Sequence, residues 1–365
     1  MRPDPRQDRN AVVPRTAEQA AGEEPAPLEC CVWELTLRCN LRCRHCGATA
    51  GPVRPRELTT AEALHLADEL AALPATEVTL MGGELFLHPD WVAVAERLRA
   101  GGVQLVVFTN GTLLDTGRIA QLRALEPRTV GTSLDGGSAA VHDDIRGQAG
   151  AWERTLAAMD DLQEAGLRVA VITTLTRRNL YELPAIARLL AGRDIRWQVQ
   201  CTGGGGGRLA QADLLTPLEF YFAARFIARV RAAYRWAVLP LLGAHDFGYC
   251  SDQLPYLGMP GQAWAGCPAG RRVLGIESDG GVKACLSLPS SLVVANVREH
   301  TLAEIWQGDT LAAWRRPAGR TGFCATCPHG ETCEGGCTGV AVTYTGHRGE
   351  NPLCLYHLEH VGEGG

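Results

Sequence analysis

The sequence predicts an α/β fold: a partial, TIM-like (β/α)6 barrel followed by a small, cysteine-rich C-terminal domain. Short β-like runs alternate with amphipathic helical segments between residues 32 and 235, which is typical of right-handed βαβ units and a parallel sheet. From Cys267 onward the chain is instead rich in glycine, cysteine and turn residues. Apolar residues make up 46% of the 365 residues and charged residues 21%, as in globular proteins with an ample core.

Six β-like runs are expected to form the barrel strands. They span 32–37, 77–81, 104–109, 129–134, 168–175 and 196–202. Between them, a capping box at Thr59 and Glu62 predicts one helix start, and glycines follow helical patterns at 91–100 and 152–165. A helix at 217–235 closes the region. Functional groups of such barrels lie at the carboxyl ends of the strands.

The chain divides into four predicted segments. They are a flexible tail at 1–28, the barrel at 29–235, a bridge at 236–262 and the cysteine-rich domain at 263–365. The bridge carries proline, glycine and aromatic residues without a clear period. The last segment includes one short amphipathic helix near 302–314.

Composition excludes several classes of partner. The formal net charge is −5 and no basic patch is interleaved with aromatics, so no nucleic acid is expected to bind. No apolar run approaches the roughly 18–20 residues of a membrane span, and the N-terminus lacks the apolar core of a secretion signal. The fourteen cysteines have metal-type spacings, which predicts reduced thiols in the cytoplasm and not a secreted disulfide scaffold.

The most informative feature is a cysteine triplet directly after the first predicted strand. Cys39, Cys43 and Cys46 have the spacing C-x3-C-x2-C. Three thiolates on one loop can hold three irons of a [4Fe–4S] cluster and leave the fourth iron open. Zinc is the alternative ligand-bound metal, but a structural zinc site needs four protein ligands and has no open position.

This spacing, with an aromatic residue directly before the last cysteine, resembles the radical S-adenosylmethionine (SAM) family. The resemblance implies that the open iron binds SAM, which is cleaved to methionine and a 5′-deoxyadenosyl radical. Gly82, Gly83 and Glu84 end the second strand and resemble the motif that receives the SAM amino group. The glycines would let the backbone approach a ligand closely.

Other strand ends would complete the SAM pocket. The resemblance implies that Asn110 lines it, that Ser133 faces the SAM ribose or carboxylate, and that Arg146 pairs with the carboxylate through its guanidinium fork. The alternatives are that the residues after the fourth strand form an ordinary turn and that Arg146 is a surface charge.

The sixth strand is expected to face the reaction chamber. Gln198 and Gln200 alternate with apolar residues and would line the chamber, and Cys201 is a candidate donor of a hydrogen atom to a substrate radical. The glycines at 203–207 would either let a substrate backbone approach or form a floppy loop.

Seven further cysteines follow a fixed order in the C-terminal domain. They are Cys267, Cys285, Cys324, Cys327, Cys333, Cys337 and Cys354. This order resembles the SPASM extension of peptide-modifying radical SAM enzymes, which implies two auxiliary [4Fe–4S] clusters and three clusters in all. A zinc ribbon is the alternative.

The resemblance also implies how these cysteines divide. One auxiliary cluster would be ligated by Cys324, Cys327, Cys333 and Cys354, and the other by Cys267, Cys285 and Cys337. Cys250, upstream of the set, is the candidate for the missing fourth ligand. Cys30 and Cys31 are expected to be buried and inert where the first strand begins.

The implied function is a radical SAM oxidoreductase whose auxiliary clusters take up an electron. The leading hypothesis is a maturase that forms a thioether or carbon–carbon crosslink, or another oxidation, in a ribosomally made peptide (RiPP). Alternatives are a small-molecule dehydrogenase or epimerase of a sugar or antibiotic pathway, and a non-catalytic iron–sulfur electron carrier. Leu286, where sulfatase-maturating relatives have an acidic residue, disfavours formylglycine formation.

The expected partners are a precursor peptide and flavodoxin or ferredoxin as electron donor. Only about 30 residues precede the barrel, so a leader-binding module is expected to be absent or to be a separate protein.

Overall fold

The computed structural model describes residues 26–360 except 74, 202–206, 245, 246, 248 and 265. Most of the predicted tail and glycines 203–206 therefore lie outside the described residues. The strands of the described part are β1 (Cys30–Thr36), β2 (Glu77–Gly82), β3 (Gln104–Phe108), β4 (Thr129–Ser133), β5 (Val169–Leu175), β6 (Arg196–Cys201), β7 (Leu241–Gly243), β8 (Val273–Ile276), β9 (Gly281–Lys283) and β10 (Ala295–Asn296).

Helices connect and cover these strands. Those of the described part are α1 (Thr60–Ala72), α2 (Trp91–Ala100), α3 (Thr116–Leu125), α4 (Ala139–Arg146), α5 (Ala151–Glu164), α6 (Leu183–Leu190), α7 (Pro217–Ala233), α8 (Leu302–Gln307), α9 (Asp309–Arg315), α10 (Gly330–Cys333), α11 (Thr338–Thr345) and α12 (Leu355–His360). None of these helices combines the length and apolarity needed to cross a membrane.

The strands form one sheet in the order β10-β9-β8-β1-β2-β3-β4-β5-β6-β7. Strands β1 to β7 are parallel neighbours, as the alternation of strands and helices predicts. Strand β8 pairs with β1 in parallel, and β9 and β10 continue the sheet antiparallel. The C-terminal domain therefore extends the barrel sheet, and β1 has partners on both sides.

The six predicted barrel strands are all present, with ends that differ by no more than two residues. The capping box at Thr59 forms, and α2 occupies the predicted 91–100. Two features differ from the prediction. The three-residue β7 lies within the predicted bridge. The predicted helix at 302–314 is interrupted at Gly308, whose extended backbone separates α8 from α9.

The hydrophobic core lies between the sheet and its covering helices. Trp33 of β1 and Trp197 of β6 are fully buried there, and the Trp197 ring packs edge-on against Phe226 of α7, with 6.5 Å between ring centroids. Because side chains alternate across a strand, the opposite face of β6 carries Gln198 and Gln200 towards the barrel interior.

One glycine of the sheet is required by close packing. Gly131 of β4 is in register with Phe108 of β3. A Cβ atom at Gly131 would overlap the Phe108 ring. The aromatic ring thus occupies the space that a side chain at this position would need.

We expect Gly131→Ala to lower the free energy of unfolding by about 1–3 kcal/mol, because overpacking displaces neighbouring groups from their preferred positions. The thermal unfolding midpoint of the cluster-loaded protein, measured without oxygen, tests this. Gly319→Ala is the matched control, since nothing lies within 4 Å of its added Cβ. Adding Phe108→Leu to Gly131→Ala should recover part of the loss, and failure to do so would contradict the assigned cause.

Candidate iron–sulfur and SAM site

The loop after β1 carries Cys39, Cys43 and Cys46 and is closed by backbone hydrogen bonds. Gly51 N donates to Leu37 O (3.0 Å), and Cys39 N donates to Gly51 O (3.1 Å). These bonds join the two ends of the loop. They hold the three cysteines at the carboxyl end of β1, where barrel sites lie.

Each of the three sulfur atoms accepts a hydrogen bond: Cys39 from Leu41 N (3.4 Å), Cys46 from Ala50 N (3.3 Å) and Cys43 from Arg146 Nη1 (3.8 Å). Hydrogen bonds to sulfur stabilise the anionic ligands of iron–sulfur clusters and tune their potentials. Burial raises the pKa of Cys39 to about 11, so iron has to displace a proton there. This donor set fits three-thiolate ligation of a [4Fe–4S] cluster.

The described part of the chain contains no three His, Cys, Asp or Glu side chains close enough to hold a single metal ion. A [4Fe–4S] cluster distributes its thiolates over separate irons and so needs them spread apart.

A second segment holds the same loop from the barrel mouth. Arg208 Nε donates to Cys43 O (2.9 Å), its Nη1 donates to Ala50 O (2.8 Å), and its backbone N donates to Cys46 O (3.0 Å). A Cβ atom at Gly207 would overlap Cys46 O, so the last of the predicted glycines is required by this contact. Sequence reasoning did not identify Arg208.

A buried carboxylate lies behind the cysteine loop. Asp135 follows β4, is fully buried, and accepts from Arg146 Nη2 (2.6 Å) and Thr174 N (2.9 Å); His45 Nε2 is 2.8 Å from its Oδ2. Burial alone would raise the pKa of Asp135, but Arg146 and His45 hold it well below its usual range. The carboxylate thus stays charged and ties the loop to β4, β5 and α4.

Neutral His142 completes this cluster. Its Nδ1 accepts the Asp135 N–H (3.1 Å), and burial together with Arg146 lowers its pKa to about 4. Two nitrogen atoms beside it, His45 Nδ1 and Arg146 Nε, are buried and have no partner among the described residues. Such unpartnered polar atoms are costly unless a ligand or water contacts them, so they support a bound polar group here.

Arg146 was predicted to pair with the SAM carboxylate. The structure gives its guanidinium two partners within the chain, Asp135 and the sulfur of Cys43. Its Nε is buried without a partner among the described residues, and the role of Arg146 in binding SAM stays a prediction.

The Glu84 carboxylate accepts three hydrogen bonds within the chain. It accepts from Phe86 N (3.2 Å), Thr109 Oγ1 (2.8 Å) and Asn110 N (2.7 Å), and the residue is 1% exposed. Burial raises the pKa of Glu84, and these donors oppose that shift. Glu84 therefore joins the ends of β2 and β3, and its contact with the SAM amino group stays a prediction.

Gly82 and Gly83 allow β2 to approach the start of the cysteine loop. A Cβ at Gly82 would lie 2.5 Å from Thr36 O, and one at Gly83 would overlap Arg38 O. Gly83 N and Glu84 N donate to these same two oxygens, both at 2.7 Å. The close approach that the paired glycines predict is real, and its partner in this structure is the backbone after β1.

Asn110 also supports the loop. Its Nδ2 donates to Asn40 Oδ1 (2.9 Å), next to Cys39, and its Oδ1 accepts from Thr112. Ser133, at the end of β4, is half-buried. Of the six predicted SAM-pocket residues, Gly82, Gly83, Glu84, Asn110 and Arg146 all contact the cysteine loop or its supports.

The predicted chamber residues separate into two faces. Gln198 Nε2 donates to Gln200 Oε1 (3.3 Å), and Gln200 Nε2 donates to Thr174 Oγ1 of β5 (3.2 Å). Cys201 is 6% exposed and belongs to the core, on the face of β6 that carries Trp197. Because residues alternate along the strand, Cys201 does not share a face with the two glutamines. The structure therefore does not support Cys201 as a hydrogen-atom donor in the chamber.

The second auxiliary set is assembled by three short elements. Cys324 and Cys327 lie on one turn, Cys333 ends α10 and Cys354 immediately precedes α12. Burial first, and then the neighbouring thiols of Cys324, Cys327 and Cys250, raise the pKa of Cys354 to about 12. The four predicted ligands of this cluster are thus brought together.

Cys250 lies beside this second set, whereas the sequence analysis groups it with the first set. Its thiol shares a hydrogen bond with Cys333, and its carbonyl accepts from Tyr356 N (3.0 Å). Ser251 Oγ, the next residue, donates to Glu359 of α12 (2.6 Å). The segment that carries Cys250 thus docks on α12, directly after Cys354.

The first auxiliary set lies around the β8–β9 hairpin. Burial raises the pKa of Cys285, and the nearby Cys267 thiol adds to this. The Cβ position of Gly339 lies 3.8 Å from Cys337 Sγ and 3.4 Å from Ser287 Cβ, which places Cys337 close to the Cys285 loop.

A small cavity opens beside Cys267. Arg271, Glu334 and Arg348 contribute to its lining. The Nε atom of Arg348 is buried without a partner among the described residues. Guanidinium groups at this position suit an anionic cluster.

Comparison with known proteins identifies two domain families in the chain. The Radical SAM superfamily matches residues 33–190, and the iron–sulfur cluster-binding SPASM domain matches 267–328. The AdoMet-dependent heme synthase of Methanosarcina barkeri is 31% identical over 338 residues, covering 89% of this chain and 95% of the relative. Mycofactocin maturase MftC of Mycolicibacterium smegmatis is 32% identical over 355 residues, covering 94% and 86%.

A solved structure shows the same fold. Streptococcus suis SuiB bound to the precursor peptide SuiA superposes with a TM-score of 0.71 at 16% identity, over 90% of this chain and 75% of that one. The cofactors are therefore SAM and [4Fe–4S] clusters, with auxiliary clusters in the SPASM domain. From the cysteine loop, the barrel and these relatives together, the chain belongs to the radical SAM superfamily and carries a C-terminal SPASM domain.

Proposed function

We propose that this radical SAM enzyme is a maturase that modifies a ribosomally made precursor peptide by hydrogen abstraction followed by crosslinking or another oxidation. The observation that carries the proposal is similarity to mycofactocin maturase over 94% of the chain, barrel and SPASM domain together. The shared fold of SuiB, a protein solved with its precursor peptide, is consistent with it.

Cys39, Cys43 and Cys46 would hold the cluster, which together with SAM would supply the radical chemistry for hydrogen abstraction. The residues of the chain position the cysteine loop and the substrate. Arg208 and Asn110 hold the cysteine loop, and the amides of Gln198 and Gln200 offer donors and acceptors to a substrate backbone in the barrel.

The placement of Cys201 in the core favours oxidation over epimerisation. An epimerase needs a hydrogen donor beside the substrate radical, and the described face of β6 that carries the glutamines presents amides there. Oxidation instead requires that an electron leave the substrate, which is a role for the auxiliary clusters.

The proposal includes further partners. Flavodoxin or ferredoxin would deliver the electron for SAM cleavage, and a separate leader-binding protein would present the peptide. A cytoplasmic location goes with these partners, because the thiol ligands require reducing conditions.

A second candidate is oxidation of a small molecule. The relative at 31% identity over 89% of this chain is a heme synthase, which favours this reading. Both candidates use the same cysteine loop, so substrate trials must separate them.

The test is a mass spectrum of a candidate precursor peptide, encoded beside the gene, after anaerobic incubation with reconstituted enzyme, SAM and dithionite in D2O. We expect a loss of about 2 Da, because crosslinking or dehydrogenation removes two hydrogens. The Cys39→Ala/Cys43→Ala/Cys46→Ala variant is the control and should leave the peptide unchanged.

A gain of about 1 Da would instead indicate epimerisation. Release of 5′-deoxyadenosine with an unchanged peptide would exclude that peptide and favour the small-molecule candidate.

The role of Glu84 can be separated into support and SAM binding. We expect Glu84→Gln to cost about 1–3 kcal/mol of stability, because its amide would place a donor against a buried N–H or hydroxyl group. The thermal unfolding midpoint of the reconstituted protein and its SAM affinity by calorimetry are both measured. Glu96 of α2 is exposed, so Glu96→Gln is the control. Weaker SAM binding at an unchanged midpoint would show that Glu84 acts on SAM itself.

Arg146 is expected to raise the reduction potential of the SAM-binding cluster through its bond to Cys43. Loss of one hydrogen bond, about 0.5–1.5 kcal/mol, corresponds to about 20–60 mV for one electron. Arg146→Met should therefore lower the midpoint potential by that amount in an EPR-monitored titration. Arg44→Met, on the same loop but half-exposed, should leave it unchanged. Equal potentials in the wild type and Arg146→Met would contradict the assignment.

A further inference from the structure

We propose that Cys30, the first residue of β1, is the fourth cysteine ligand of the first auxiliary cluster, together with Cys267, Cys285 and Cys337. The proposal rests on the cluster-binding SPASM domain and does not depend on the identity of the substrate.

A fourth thiolate would close the first auxiliary cluster. Four cysteines commonly ligate a [4Fe–4S] cluster. The predicted fourth ligand, Cys250, is held beside Cys333 and α12 in the second set. The first set is therefore left with three of the predicted cysteines.

Strand register places Cys30 on the same face of the sheet as Cys285. In the parallel pairing of β1 and β8, Cys30 is opposite Val273 and Val32 is opposite Gly275. Side chains at paired positions point to the same face, as do those two residues apart on one strand. The side chains of Cys30 and Val32 thus lie on the same face of the sheet as the position that a Gly275 side chain would take.

The backbone of Cys285 packs on that face. A Cβ atom at Gly275 would lie 2.8 Å from the carbonyl carbon of Cys285, so only glycine admits the loop here. Cys30 is one strand away from Gly275 and two residues along. With about 4.8 Å between strands and 3.3 Å per residue, the diagonal distance between the Cα atoms of Cys30 and Gly275 is about 8 Å. Side chains extending from both backbones can therefore reach one cluster.

The Cys30 thiol has weak competing contacts. Its sulfur is 3.9 Å from Glu77 Oε1, and the residue is half-buried. The Cys30 backbone N donates to Arg272 O (3.1 Å), which fixes the start of β1 against the chain leading into β8. Burial, and then Glu77 and Cys285, raise the pKa of Cys30 to about 12, as expected for neighbouring thiols before metal displaces their protons.

Cys31 provides an internal contrast. It is the next residue, points to the opposite face of β1, and is fully buried in the core. Cys31 is buried, as the sequence predicts, whereas Cys30 is half-buried. The adjacent cysteine is therefore a matched control with the same chemistry and strand position.

The test uses the full chain with Cys39, Cys43 and Cys46 replaced by alanine, so that bound iron, about eight atoms, belongs to the auxiliary clusters. Into this parent we place Cys30→Ala, Cys31→Ala, Cys250→Ala and Cys285→Ala. Iron content and EPR spectra are measured after anaerobic reconstitution. Cys285→Ala defines the signal of the first auxiliary cluster.

We expect Cys30→Ala to lose iron and the same EPR signal as Cys285→Ala, and Cys31→Ala to match the parent. Cys30→Asp, which offers an oxygen ligand, should recover iron with altered g-values. Parent-like iron and spectra in Cys30→Ala would overturn the proposal. Equal losses in Cys30→Ala and Cys31→Ala would also overturn it, by assigning the effect to the strand. Loss of the first signal in Cys250→Ala would return the ligand role to Cys250.

Discussion

Strand β1 is hydrogen-bonded on both edges, to β2 on one side and to β8 on the other. This double pairing determines where the cofactor sites lie. At its carboxyl end β1 continues into the cysteine loop, and Gly82 and Gly83 let β2 pack against that junction. At its amino end β1 meets the hairpin that leads to Cys285. Barrel and SPASM domain are thus joined by one continuous sheet, with the position of one site coupled to that of the other.

A cluster of buried charged side chains fixes the position of the cysteine loop on the side facing the barrel strands. Asp135, Arg146 and His45 are each at least nine-tenths buried, and a buried carboxylate requires close partners to offset its lost hydration. Such a cluster contributes little net stability compared with apolar packing, but it tolerates few alternative geometries. Its members come from the loop itself, the end of β4 and α4. The cluster therefore fixes Cys43 relative to the barrel.

Local patterns predicted the barrel strands because each is long enough to show an apolar period. The helix start at Thr59 was equally readable, since its capping box is a local signal. Strand β7 was not predicted, because three residues among prolines and glycines show no apolar period. The short β8–β10 strands are defined by pairing with distant residues, which no local pattern reveals.

Cysteine spacing predicted a set of candidate metal ligands, yet it did not predict where all of them lie relative to one another. Cys250 precedes Cys267 in sequence but docks beside Cys333, because contacts with α12 decide its place. Glu84 shows the same limit: a matching motif identified the residue, whereas its three donors depend on how β2 and β3 end. Arg208 was missed because one arginine after a glycine run has no distinctive pattern.

The long sequence separation between β1 and β8 also determines the order in which the chain can assemble. Cys30 pairs with Val273, so the outer edge of β1 has no partner until nearly the whole barrel has been synthesised. At about 5–20 residues per second, that interval is roughly 12–50 s. An unpaired edge strand recruits other chains during such a delay. The nascent barrel is therefore most vulnerable to aggregation beside Cys30, until the C-terminal hairpin covers this edge.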